Sequence, residues 1–236
     1  MIRPGFLAVN RRGGGVPPGG DPYWANVVGL WDFDDNTQTV TDRSSAGNDI
    51  SFSRADSISA GAAKFGVAGL KRAALVSIAT LADSGDFSFG SAPFTFDFWF
   101  RRTGSEAEGY SISKYNPNGN QRSWRFEPGY AGAKMAFRWS PDGSTQYTLT
   151  SNAITDGVYH HIALDRDGSG KLRLYIDGTM VDSETSNTSF FNSSADLRLE
   201  AVSGHISKDE IRVTKGVARY ASDAGFTPPT TAFPRS

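Results

Sequence analysis

Residues 94–100 read FTFDFWF, and this stretch decides the fold. Successive side chains on a β-strand point to opposite faces, so the phenylalanines at positions 94, 96, 98 and 100 share one face. Thr95, Asp97 and Trp99 share the other face. Phenylalanines repeated in one register predict a strand whose first face lies in the hydrophobic core.

Other segments alternate in the same way and are separated by turn residues. Residues 171–176 place apolar side chains at 172, 174 and 176 on one face, and Asp177-Gly178 then signals a type I′ hairpin turn. The same pattern predicts strands at 159–166, 134–140 and 146–151. No segment shows a convincing helical period, so the sequence predicts an all-β antiparallel sandwich or barrel.

The composition argues against several classes of function. The chain carries 24 Lys and Arg against 25 Asp and Glu, a formal net charge of -1, so no polyanion or acidic membrane surface is indicated as a partner. No basic stripe with stacking aromatic residues points to nucleic acid. No apolar run approaches the roughly 20 residues that span a bilayer. The first residues lack the apolar core of a signal peptide, so neither membrane insertion nor export is expected.

Residues 1–24 differ from the remainder of the chain. The runs RRGGG at 11–15 and PPGG at 17–20 cannot sustain a helix or strand, because glycine is costly to order and proline lacks a backbone donor. This segment predicts either a disordered tail or an extended arm that becomes ordered on a partner. In the second case the apolar contacts come from Ile2, Phe6, Leu7 and Val9. Residues 25–236 are then the folded domain.

Five segments resemble, in order and spacing, the laminin-G-like, concanavalin A-like domains of bacteriophage structural proteins. Residues 30–34 (LWDFD) with 42–48 (DRSSAGN) are similar to the opening strand and its DSSGN loop, with one residue inserted. Residues 94–101 (FTFDFWFR) resemble FTIEFWVR. Residues 157–168 (GVYHHIALDRDG) resemble GTWYHVALVRDG, although Tyr159 stands where Trp is usual and Asp165 where an apolar residue is usual. Residues 172–178 end in a match to LYVDG, and residues 215–233 resemble the closing segment in phage proteins.

The resemblance implies a jelly roll of two antiparallel sheets with an extended N-terminal arm. It also implies a non-catalytic bacteriophage virion protein, assembled in the host cytoplasm, that decorates the capsid or belongs to the tail. The arm would attach it to other virion proteins, and any homo-oligomer would form through sandwich faces or arms, since no coiled-coil heptads are present. The alternative is a glycan-binding module of a tail fibre or receptor-binding protein that recognises the host surface. A glycosidase accessory domain is a third possibility, because the fold alone does not give the function.

The carboxylates do not follow a catalytic pattern. Glycoside hydrolysis uses two carboxylates that flank the scissile bond, and related glucanases carry them on one strand as Glu-x-Asp-x-Glu. This chain lacks that run: Glu106 and Glu108 lie in a Gly/Ser-rich loop. The histidines at 160, 161 and 205 lack a recognisable Ser or Asp arrangement. The sequence therefore predicts a protein without enzymatic activity.

Acidic residues near both ends of the domain raise the question of a metal. Calcium prefers carboxylate and carbonyl oxygens. By resemblance to laminin-G-like domains that hold one structural Ca²⁺, the candidate ligands are Asp34 with Asp209 or Glu210. The alternative is that these acids are solvated or form Asx turns.

The middle of the chain is rich in aromatic residues. Sugar sites stack an aromatic face on the sugar ring and surround it with planar polar groups. The candidates for such a site are Trp124, Arg125, Tyr130, Trp139 and Tyr147, near the exposed turn at 115–120. The two tryptophans also alternate with polar neighbours as strand residues do, so packing in the core is the alternative.

Overall fold

The computed structural model describes residues 19–54, 57–71, 77–104, 111–201 and 205–236. Within these ranges the chain consists of β-strands, turns and short 3₁₀ segments. The strands, in chain order, are β1 Val27–Trp31, β2 Thr39–Val40, β3 Ile50–Ser51, β4 Ile58–Ser59, β5 Gly69–Lys71, β6 Ser77–Leu81, β7 Phe94–Arg102, β8 Ile112–Asn116, β9 Gln121–Tyr130, β10 Lys134–Trp139, β11 Tyr147–Ala153, β12 Tyr159–Arg166, β13 Lys171–Ile176, β14 Thr179–Thr185, β15 Leu197–Ala201 and β16 Ile206–Lys215.

The strands form two large antiparallel sheets and one small one. The eight-stranded sheet has the order β14-β13-β12-β7-β16-β5-β4, and β1 also pairs with β16. The six-stranded sheet has the order β11-β10-β9-β8-β15-β6, and β2 pairs with β3. This arrangement confirms the predicted two-sheet jelly-roll sandwich. None of the described helical segments has the length and apolarity needed to cross a membrane.

Strand β7 organises the core, as its alternation predicts. It pairs with β12 on one side and β16 on the other, and its four phenylalanines are buried between the sheets. The ring of Phe96 lies 4.6 Å from Trp124 and 5.5 Å from Phe126 between centroids, so β7 contacts the six-stranded sheet directly. Leu172 and Leu174 of β13 are buried in the same core, and Ile176 packs against it.

The opposite face of β7 is also buried, because the C-terminal segment 216–236 lies across it. Thr95 donates a hydrogen bond to the carbonyl of Val217 (2.9 Å). The hydroxyl of Tyr220 donates to Asp97 (2.6 Å), and the ring of Tyr220 stacks on Phe226 at 3.6 Å. The outer face of the eight-stranded sheet is therefore covered by the end of the same chain.

The two ends of the described chain meet on this face. Asp21 is 3% exposed, its carboxylate accepts hydrogen bonds from Arg212 and Arg219, and its backbone N–H donates to the carbonyl of Ser236 (2.7 Å). Asp21, which falls within the predicted arm of residues 1–24, thus packs against the folded domain. The apolar residues assigned to attachment, at positions 2, 6, 7 and 9, lie outside the described residues.

Candidate functional site

The structure separates the five aromatic and arginine residues predicted to bind sugar. Trp124 and Trp139 are each 1% exposed and point into the core, where the indole N–H of Trp124 donates to the carbonyl of Phe87 (3.2 Å). These two residues are cross-strand partners in β9 and β10, on the same face as Phe126 and Phe137. The prediction that they stack on a sugar is wrong, since their rings pack against the core.

The other three predicted residues lie in different environments. Arg125 faces outward and its guanidinium lies 4.1 Å from the centre of the Tyr115 ring. Tyr130 is covered by Arg138, at 4.7 Å. Tyr147 is 39% exposed at the edge of the six-stranded sheet and stacks on Trp139 at 5.5 Å. The five residues therefore do not form one site, although Arg125 leads to a cavity beside Tyr115.

That cavity lies on the outer face of the six-stranded sheet, where β6, β8 and β15 run side by side. Its volume is about 330 Å³. Arg198 of β15 is the cross-strand partner of Thr80 in β6 and of Ser113 in β8. The lining residues are Thr80, Tyr115, Asn116, Pro117, Ala195, Asp196 and Arg198.

The loop that closes one side of the cavity is held by buried polar contacts. The ammonium group of Lys114 is buried and donates to the carbonyls of Ser193 (2.6 Å) and Ala195 (3.1 Å), and it forms an ion pair with Asp83. The side-chain carbonyl of Gln121 accepts from the N–H of Ser194 (2.8 Å). The cavity wall is therefore fixed before any ligand arrives, which reduces the entropic cost of binding.

The cavity offers several kinds of polar group around one aromatic ring. The hydroxyl of Tyr115 accepts from Arg122 (3.3 Å), which orients the ring. Asn116 accepts from the N–H of Asn118 (3.0 Å) through its side-chain oxygen, which leaves its NH₂ group for a ligand. Asp196 and Thr80 are exposed. Tyr115 is 7% exposed and Arg125 lies over its ring, so the ring is part of the cavity wall. The amide, carboxylate, hydroxyl and guanidinium groups around it can bind a polyhydroxylated ligand.

Sequence reasoning found only part of this site. The sequence predicts an exposed turn at 115–120, and Asn116 is exposed there, whereas Tyr115 is buried. Nothing local in the sequence makes Tyr115 a sugar-binding candidate or joins it to Thr80 or Arg198. Those residues reach the cavity through the pairing of β15 with both β6 and β8, which are distant in sequence. An alternating segment shows that a strand forms without showing which strands become its neighbours.

The acids predicted to hold calcium are occupied by other groups. The carboxylate of Asp34 accepts from the N–H of Val67 (2.5 Å), and that of Glu210 from Phe233 (3.1 Å). Asp209 accepts from the N–H groups of Lys64 (2.6 Å) and Phe65 (3.0 Å).

The guanidinium of Arg235 takes the place between two of these acids. It lies 3.4 Å from Asp34, 3.9 Å from Glu210 and 2.8 Å from the buried Asp32. Burial raises the pKa of Asp209 to about 8 and that of Glu210 to about 7. Among the described residues no group of three or more His, Asp or Glu is arranged to hold a metal. The donor set does not fit calcium.

One histidine has a partner that the sequence did not indicate. His160 lies 2.6 Å from Asp177 through Nδ1, and its Nε2 lies 3.1 Å from the carbonyl of Thr155. Both ring nitrogens are thus used by structural neighbours. Glu106 and Glu108 lie outside the described residues.

Solved structures with the same fold include binding domains of bacterial toxins. The binding domain of Paraclostridial mosquitocidal protein 1 superposes with a TM-score of 0.63 and 14% identity, over 83% of this chain and 50% of the other. The receptor-binding domain of botulinum neurotoxin D gives a TM-score of 0.60 and 11% identity, over 83% and 51%. A serotype D domain in complex with N-acetylneuraminic acid gives 0.58 and 11%, over 83% and 49%. The chain spans about half the length of these domains.

The family can be assigned from the sequence. No protein among the curated sequences matches this chain significantly. A family model of the concanavalin A-like lectin/glucanases superfamily matches residues 77–207, which is more than half of the chain and includes β7 to β15. The match agrees with the two-sheet topology. The chain belongs to the concanavalin A-like lectin/glucanase superfamily.

Proposed function

We propose that this protein is a non-catalytic, lectin-like module that binds a cell-surface glycan in the cavity between β6, β8 and β15. The cavity itself is the observation that carries the proposal. It places the Tyr115 ring beside Asn116, Asp196 and Arg198, on a wall already fixed by Lys114. Its lining contains one carboxylate, whereas glycoside hydrolysis normally uses two.

The toxin domains support the class of ligand. One serotype D domain is in complex with N-acetylneuraminic acid, and a serotype DC domain is in complex with SialylT. The identities are 10–11% and this chain spans about half of each domain. The ligands of those domains therefore support glycan binding by this fold in general and do not identify a particular sugar.

The proposed setting is a bacteriophage virion, either on the capsid or in the tail. Support comes from the resemblance of residues 215–233 to the closing segment of phage structural proteins. In this proposal the N-terminal residues attach the module to other virion proteins or to further copies of itself. This closing segment packs on the sheet opposite the cavity, so the resemblance to phage proteins does not depend on the cavity. A decoration protein without glycan binding is therefore the second candidate.

A glycan array separates the two candidates. The parent protein should bind a limited set of glycans, and both Asn116→Ala and Asp196→Ala should weaken that binding, because each removes an exposed polar group of the cavity. Asn152→Ala is the matched control, since Asn152 is an exposed amide on β11 away from this cavity. A blank array for the parent protein, or equal binding by the cavity variants, would exclude the proposed site. Cryo-EM of an intact particle would show whether and where the module is displayed.

A further inference from the structure

Arg198 differs from the other arginines on the same sheet face. Arg125 and Arg138 both lie against Glu127, at 3.4 Å and 3.0 Å, and each covers a tyrosine ring. Arg122 donates to Tyr115 and to the carbonyl of Gly143 (3.2 Å). These three guanidinium groups are engaged in holding the sheet face together.

Arg198 has one charged neighbour and an open side. Its Nε lies 3.4 Å from Glu200, and its side chain is 36% exposed at the cavity. Within the part of the chain that the structure describes, its guanidinium donates no hydrogen bond. A guanidinium group presents its N–H donors as a planar fork, so Arg198 retains donors for a ligand.

The ion pair between Glu200 and Arg198 runs through Nε of the guanidinium group. Burial raises the pKa of Glu200, which disfavours its charged form. The contact through Nε also leaves the outer edge of the guanidinium group free to meet an incoming anion. Planar carboxylates fit this edge with two parallel hydrogen bonds.

The cavity also limits the number of charges on the ligand. Asp196 lines the same space and is exposed, so it favours hydroxyl donors and repels a second anionic group. We infer that the ligand is a monoacidic sugar, whose single carboxylate is held by Arg198 while its hydroxyls meet Thr80, Asn116 and Asp196. This inference rests on the proposed glycan-binding function and specifies the ligand of that site.

The test uses the whole protein on an array of uronic-acid and nonulosonic-acid glycans, printed beside their carboxyl-reduced counterparts. The acidic form of the recognised glycan should bind about tenfold more tightly or better than its reduced form, as expected for a charge-assisted pair. Higher salt should reduce this difference in affinity, because an ion pair between Arg198 and the ligand carboxylate would lie at the surface and be screened. Equal binding of both forms would overturn the inference and leave the proposed function standing. Binding to neither form, on this array or on neutral glycans, would overturn the proposed function itself.

Two variants connect the charge preference to this residue. Arg198→Gln should remove the difference between acidic and reduced glycans, and Arg198→Lys should retain a smaller one, since an ammonium keeps the charge without the fork. Arg101→Gln is the matched control, because Arg101 lies on β7 in the other sheet. Melting temperatures establish that each variant is folded. A preference for the acidic form that survives in folded Arg198→Gln contradicts the assignment of Arg198.

Discussion

At the residue scale, His161 is the side chain whose surroundings have the clearest consequence. It is fully buried on β12 under the C-terminal segment, with the rings of Trp99, Tyr220 and Phe226 at 5.3 to 6.2 Å. Neither ring nitrogen has a hydrogen-bond partner among the described residues. The carboxylate of Asp97 lies 3.9 Å from Nε2. Burial lowers the pKa of His161 to about 4, because the protonated ring would lose its hydration.

We predict that His161→Phe reduces the loss of stability on acidification. The pKa in the unfolded chain is about 6.5 and the folded value is lower, so folding excludes a proton. The contribution of the neutral His161 to the free energy of unfolding is therefore fully present above about pH 6.5. It falls as the pH drops towards 4, and the loss reaches about 3 kcal/mol there. Urea unfolding at pH 7.5, 5.5 and 4 should show a smaller drop for the variant than for the parent.

Asp209 and Glu210 titrate in both proteins and their contributions largely cancel in this comparison, whereas Asp97 lies 3.9 Å from His161 and is coupled to it. Asp97 has a lowered pKa beside Arg212, whereas Asp209 and Glu210 have raised values because they are buried. The difference between parent and variant therefore reports on His161 together with its coupling to Asp97. Parallel stability curves from pH 7.5 to 4 would show that this histidine is not excluded from protonation by burial.

At the element scale, the strands were predictable and their environments were not. The phenylalanines of β7 identify its core face without further information, because one face is wholly aromatic. In β9 and β10, Trp124 shares its register with Phe126 and Trp139 shares its register with Phe137, a pattern that favours the core over a sugar site. The sequence of β7 alone did not show that its polar face is buried, because the C-terminal segment that covers this face is remote in sequence.

The hairpin between β13 and β14 provides a test of that cover. Gly178 has a φ of +76°, and an added Cβ atom would lie 1.9 Å from the carbonyl oxygen of Phe226. Gly178→Ala should therefore destabilise the protein by about 2 kcal/mol or more, since strained backbone and a clash with main chain add together. Gly168→Ala is the control, because Gly168 lies in a turn where an added Cβ meets no atom within 4 Å. Denaturant unfolding that gives equal stabilities for the two variants would contradict the packing of residues 216–236 on this turn.

The acids around Arg235 lead to a second prediction at this scale. Because the guanidinium and backbone N–H groups already engage Asp32, Asp34 and Glu210, the melting temperature should be the same in EDTA and in millimolar calcium. Arg235→Ala should lower it modestly, since Arg235 is partly exposed and Arg43 still pairs with Asp32. A melting temperature that falls in EDTA and recovers with calcium would restore the calcium site predicted from the sequence.

At the scale of the whole molecule, the two outer faces of the sandwich differ in what lies on them. The outer face of the eight-stranded sheet is covered by residues 216–236 and by Asp21, and the described chain begins and ends there. The outer face of the six-stranded sheet carries the cavity. A module attached through its N-terminal residues would therefore direct the cavity away from the surface that carries it, which suits the recognition of a glycan on another body.

Two truncations test this division of the chain. The Gly- and Pro-rich composition of residues 1–18 does not favour an ordered segment, so their removal should leave the melting temperature unchanged, whereas particle incorporation should be lost if these residues attach the module. Removal of residues 1–24 also deletes Asp21 and leaves Arg212 and Arg219 without that carboxylate. This longer truncation should lower stability by about 3 kcal/mol, as when one member of a buried ion-pair network is removed.

Thermal melts, with quantitation of the protein on purified particles, distinguish the two effects. If the shorter truncation still occupies particles fully, the attachment surface lies on the sandwich; if both truncations melt alike, Asp21 does not belong to the folded domain.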